Sequence, residues 1–124
     1  MLSENQVVAV RKAIEMTYTG RCTITEHQKV KKANKSTGFE DKVVLEDQPC
    51  RLSFEKVTSN SQGETAATVV QIIKVILAPE IKIKPGSKLT ITQNGVTTEY
   101  SSSGEPAIYN THQEIVLELF KGWS

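Results

Sequence analysis

Apolar and polar residues alternate with a period of two through residues 42–57 (KVVLEDQPCRLSFEKV) and again through much of residues 68–100 (TVVQIIKVILAPEIKIKPGSKLTITQNGVTTEY). Residues two apart lie on the same face of an extended chain, so this period specifies strands that rest one face on a core. Between the two runs lies TSNSQGETAA, residues 58–67, polar and containing one glycine. A hydrophilic connection of that length in a small β-domain is usually kept for a purpose.

The rest of the chain fits the same fold class. Its 124 residues are the size of one domain. We read residues 1–124 as a single unit: a helix over 3–16, then a small antiparallel β-barrel or sandwich over 20–121 that carries loop 58–67. The helix has full start signals, with Ser3 as cap, Gln6 as capping-box partner, and Leu2 and Val7 spaced as a hydrophobic staple. Val7, Val10 and Ile14 give it one narrow apolar stripe. From Arg21 the period becomes two, with Cys22 and Ile24 on one face, and the first strand is expected to run to about Gln28. A basic turn, KVKKANKSTG, follows and holds Lys29, Lys31, Lys32 and Lys35.

The return strand over 42–45 is expected to break at Asp47-Gln48-Pro49, because proline has no N–H for a ladder. It resumes with Cys50, Leu52 and Phe54 facing inward. Residues 69–77 are β-branched and apolar on both faces, which suits a strand with a core on one side and another subunit on the other. Pro85-Gly86 marks a turn, and Asn94-Gly95 is a strong two-residue hairpin signal. Residues 101–106 read as a further turn and 107–110 as a short strand or bend. Ile115, Leu117 and Leu119 alternate in a last strand. Short strands with frequent turns and one helix give a mainly β fold.

Composition excludes several function classes. With a formal charge of +1, the surface as a whole is not built to neutralise phosphates. No secretory signal opens the chain, and its longest apolar run is interrupted by Gln71 and Lys74, so a soluble intracellular protein with no membrane role is expected. Cys22 and Cys50 alternate with apolar neighbours and read as small buried hydrophobes. His27 and His112 match no metal-ligand spacing, and His112 reads as a local hydrogen-bonding residue before the last strand. Glu40-Asp41, Glu46-Asp47 and Glu114/Glu118 read as solvated charges. GSKLTI lacks the upstream glycine and following helix of a phosphate loop. No catalytic residue, metal or cofactor is expected.

Two candidate surfaces are left. Ser59, Asn60, Ser61, Gln62, Gly63, Glu64 and Thr65 present neutral hydrogen-bonding groups with a single acid, a surface past which a polyanion slides without being gripped. Lys29, Lys31, Lys32 and Lys35 form the only basic cluster. It lacks an aromatic residue for base stacking, and it supports the alternative reading of a small-barrel nucleic-acid-binding module.

In its order of features the chain resembles the head-closure, or stopper, proteins of the head-to-tail connector in long-tailed bacteriophages and prophages of Gram-positive bacteria. The residues that carry the resemblance are CRLSFEKV with its polar loop, KVILAPEIKIKPGSKLTI, and the GEPAIY segment running through THQE into the last strand, within residues 20–121. The resemblance implies a non-enzymatic virion structural protein, assembled in the host cytoplasm and placed at the head-tail junction. It implies self-association into a dodecameric ring around packaged double-stranded DNA, between a portal-adaptor ring and a tail-end protein, either tail terminator or tube. Residues 59–66 would then be the lumen-facing gate. The capped N-terminal helix is not shared by every member of that family.

Overall fold

The computed structural model describes residues 2–31, 33–34, 36–59 and 68–123. Among these residues one helix, α1 (Glu4–Glu15), precedes six strands: β1 (Gly20–Lys31), β2 (Thr37–Ser59), β3 (Thr68–Leu77), β4 (Lys88–Gln93), β5 (Val96–Ile108) and β6 (Gln113–Leu119). All neighbours pair antiparallel, and the sheet closes in the order β1-β2-β3-β6-β5-β4 as a barrel. Closure leaves the barrel body no free edge. Its interior is filled by inward side chains of alternating positions, among them Ile24, Val75, Leu77, Leu89, Ile91 and Ile115, all fully buried.

Local sequence accounts for the elements. The Ser3 hydroxyl accepts the Gln6 N–H at 3.2 Å while the Gln6 side chain accepts the Ser3 N–H at 2.8 Å, so the capping box forms as expected. Asn94 and Gly95 both have positive φ and turn β4 into β5, as a two-residue primed turn requires. Cys22 and Cys50 are both buried in the core.

Three expectations are corrected. β1 continues past Gln28 to Lys31, so Lys29 and Lys31 lie on a strand and not in a turn. β2 passes straight through Pro49, which is paired with Arg21. The strand accepts a proline there because β2 meets β3 only from Cys50 onward, leaving Pro49 a ladder on one side alone. The irregularity falls just before it, where Asp47 has a φ of 52° and the β1–β2 register shifts. β5 likewise runs on to Ile108, and the expected turn over 101–106 is a bulge between Ser103 and Ala107, with Gly104 at a φ of 75°.

Strand β2 is twice as long as the barrel needs, and this sets the outline of the molecule. Its first half pairs with β1, its second half with β3, and Cys50 at the change-over is opposite both Gly20 and Leu77. β4 pairs with β1 only as far as Thr25, and β6 pairs with β3 only from Ile73. Two-stranded ribbons therefore leave the barrel from the two ends of β2. One is built from the end of β1 and the start of β2, the other from the end of β2 and the start of β3.

Helix α1 buries no residue fully. It is tied to the barrel by the Arg11 guanidinium, which grips the Glu80 carboxylate with both terminal nitrogens, one bond measuring 2.8 Å. That contact holds the Glu80 carboxyl below the usual carboxylate range.

Candidate functional site

The β2–β3 ribbon is the most distinctive surface of the chain. Phe54 and Val69 continue the face that carries Leu52 and Val75 inside the barrel, yet beyond the barrel they are 54% and 62% exposed. Val57 and Val70 are opposite one another on the other face and are 41% and 46% exposed. Apolar residues thus occupy both faces, as the sequence of residues 69–77 implies, and water covers both in the single chain. Alternation explains the arrangement: the inward pattern continues after the core has ended. Glu55 and Glu114 flank Lys74 at 3.5 and 3.7 Å and pin the base of the ribbon to β6.

Ser59 is the last residue of β2. Asn60, Ser61, Gln62, Gly63, Glu64 and Thr65 lie outside the described residues. Of the basic cluster, Lys29 and Lys31 are exposed on one face of the β1–β2 ribbon, where they are opposite Phe39 and Thr37. Lys32 and Lys35 lie outside the described residues.

The structure shows two histidine clusters, one around His27 built from residues distant in sequence and one around His112 built from its neighbours. His27 is sandwiched between Phe39 and Trp123, with ring centroids 4.8 and 4.9 Å away and planes tilted by 9° and 13°. Its Nδ1 donates to the Asp41 carboxylate at 2.8 Å. Trp123 belongs to the segment after β6, and no local pattern shows that it returns to β1. A cleft of about 590 Å³ opens beside this stack, lined also by Lys84, Gly86 and Ser87.

His112 sits in the β5–β6 turn. Its Nε2 donates to Glu114 at 2.9 Å, its Nδ1 pairs with the Thr111 hydroxyl at 2.9 Å, and its ring stacks on Tyr109. These are the local bonds expected of it. It also lines a groove of about 430 Å³ between α1 and the barrel, with Val10, Ile14 and Ile76.

Cys22 and Cys50 lie in the same core cluster, two residues out of register on neighbouring strands. Contact between the two sulfurs moves the thiols in opposite directions, pushing Cys22, which burial also raises, well above its ordinary range and drawing Cys50 below its own; both are buried, whereas a reactive thiolate is partly exposed. Among the described residues no three His, Cys, Asp or Glu side chains gather as a metal site. No described helix is long and apolar enough to cross a membrane.

No protein-family model matches the chain, and no match is found among curated proteins. Among solved structures the chain is similar to the phage-like element PBSX protein xkdH from Bacillus subtilis, at 18% identity over 80% of this chain and 91% of that one, with a TM-score of 0.49.

Proposed function

We propose that this chain is a structural subunit of a phage or prophage head-to-tail connector, working as one copy in a ring around the DNA conduit and carrying no catalytic activity. The observation that carries this reading is the β2–β3 ribbon, exposed and apolar on both faces. A two-faced apolar ribbon leaving a closed, filled barrel suits packing between two neighbours, one on each side, and head-to-tail contacts of that kind form a ring when their rotation closes. The order of sequence features that resembles stopper proteins supports the same reading. In this assignment the ribbon carries residues 59–65 toward the lumen, where neutral polar groups face the phosphates without binding them. The ring would be dodecameric, with a portal-adaptor ring on one side and a tail terminator or tube protein on the other.

The test is deletion of residues 60–64 in an inducible prophage. The expected result is heads that package DNA and then lose it before tails join. Heads that retain DNA and acquire tails normally overturn the gate assignment. The alternative, a nucleic-acid-binding module, has Lys29 and Lys31 exposed on one ribbon face in its favour. It is separated by a salt titration with duplex DNA, in which a phosphate-binding site loses affinity steeply as salt rises.

A further inference from the structure

We propose that the free edge of β3, residues 68–72, pairs with the same edge of a second copy, continuing the β2–β3 ribbon as an antiparallel sheet across a two-fold axis. This goes beyond the connector assignment and does not rest on it, because ring contacts run head to tail whereas this one joins like to like.

The edge follows from the ladders. β3 pairs with β2 from Thr68 to Leu77, but with β6 only from Ile73. β6 diverges there to stay with β5, where Leu119 is opposite Tyr100. Along residues 68–72 the backbone N–H and C=O groups on that side are therefore unpaired among the described residues.

The two ribbons offer four such edges, and three are guarded. The β1 edge past Thr25 carries Glu26, Lys29 and Lys31. The β2 edge before Cys50 carries Glu40, Asp41, Lys42, Glu46 and Asp47 and ends in Pro49. The opposite β2 edge, past Cys50, carries Arg51, Glu55 and Lys56, and the Gln93 amide already fills it at Leu52. Charges and proline on an edge strand keep other chains from adding to it.

The β3 edge has neither: TVVQII, residues 68–73, holds no charge and no proline. Val69, Val70 and Gln71 are exposed, and the nearest charge along the strand, Lys74, is engaged by Glu55 and Glu114 at 3.5 and 3.7 Å. A like edge suits it best, because that edge alone brings no guard. A two-fold axis near Val70 sets Val70 beside its counterpart, a β-branched cross-strand pair. The contact is short, so association is weak and concentration-dependent.

The experiment is sedimentation velocity of the full chain over about a hundredfold range of concentration, with residue-resolved amide exchange at both ends of the range. We expect a monomer–dimer equilibrium. Strand N–H groups alternate between the two edges, so the outward half of those in residues 68–72 should slow as dimer forms, by about tenfold once about nine-tenths of the chains are paired. Changing Val69→Lys and Gln71→Lys together brings two ammonium groups from each copy to the axis and should return the chain to monomer, with far-UV circular dichroism confirming an intact barrel. A wild-type chain that is monomeric at every concentration overturns the proposal, as does a lysine variant that pairs undiminished. Self-association without that slowing, or with slowing along residues 53–58 of β2, also overturns it, since the contact would then lie on the ribbon faces or on the other edge. The wild-type exchange pattern decides the matter if the variant does not fold.

Discussion

The side-chain amide of Gln93 takes the place of a strand opposite Leu52: its Oε1 accepts the Leu52 N–H at 2.8 Å, and its Nε2 faces the Leu52 carbonyl at 3.4 Å. The substitution is needed because β1 begins at Gly20, opposite Cys50, so β2 has no backbone partner on that side two residues later. An amide side chain offers the same donor and acceptor pair as a peptide group. The barrel is sealed at the point where the ribbon departs.

Replacing Gln93 by leucine should therefore leave the Leu52 backbone groups unpaired in a half-dry site, at a cost of about 1–3 kcal/mol. Gly20 is part of the same seam. A Cβ at that position would lie 3.1 Å from Gln93 Oε1 and 3.2 Å from the Cys50 carbonyl, so Gly20→Ala should cost about 1–3 kcal/mol through overpacking. Because the two changes share a contact, the double variant should lose less than the sum. Urea unfolding midpoints of the two singles and the double check this, and strict additivity would refute the shared seam.

Gln113 holds the other end of the barrel. It is fully buried, and its Nε2 donates to the carbonyls of Ala78 and Ile81 at 2.7 and 2.5 Å, fixing the connection from β3 to β4. Gln113→Leu should orphan both carbonyls at roughly 1–3 kcal/mol each, offset in part because Oε1, which has no partner among the described residues, is removed with them. Gln113→Glu should be worse, since a protonated carboxyl supplies one hydrogen where two are used, and an ionised one supplies none. Thermal unfolding at neutral pH ranks the three proteins.

Helix α1 should come away without harm to the barrel. It buries nothing fully and is held by Arg11 and Glu80. Ser3→Ala removes the capping box and should cost the helix about 1 kcal/mol, seen as faster amide exchange over residues 4–15 with the barrel amides unchanged. The pH dependence has a definite sign. Glu80 is depressed in the folded state by Arg11, so its contribution is present above the ordinary carboxylate range and is lost as pH falls through the depressed value. Exchange in α1 should rise in acid before the barrel opens, and Arg11→Ala should abolish that early step.

Much of this architecture is legible in the sequence where the determinant is local. The capping box of Ser3 and Gln6, the Asn94-Gly95 turn and the inward alternation of Cys22 with Ile24 and of Cys50 with Leu52 all rest on neighbours a few residues apart. What is not legible depends on long-range pairing. Pro49 reads as a break unless it is known that β2 changes partners at Cys50, and Leu119 reads as core although it lies past the end of the β3 ladder and is exposed. The His27 sandwich is hidden for the same reason, since Phe39 and Trp123 reach it through a hairpin and through barrel closure. For the gate, the structure describes only the ends of the loop read from the sequence: Thr58 and Ser59 belong to β2, and Thr68 opens β3.

The ribbon offers the sharpest separation of stability from assembly. Val57 and Val70 are opposite each other on one face of the ribbon, beyond the end of the β6 ladder at Ile73, and are 41% and 46% exposed. Changing them together to Val57→Glu and Val70→Lys replaces an apolar cross-strand pair by an opposite-charge pair, with a net effect on folding within about 1 kcal/mol. Leu52→Ala, two residues beyond the change-over at Cys50 and inside the core, should instead cost roughly 2–5 kcal/mol. If the ribbon packs between copies, the charged pair should leave the monomer's melting temperature almost unmoved and yet block head completion in a prophage complementation assay, because each copy would bury two charges against an apolar neighbour. Normal head-tail joining by this variant would show that the exposed apolar face has no role in assembly.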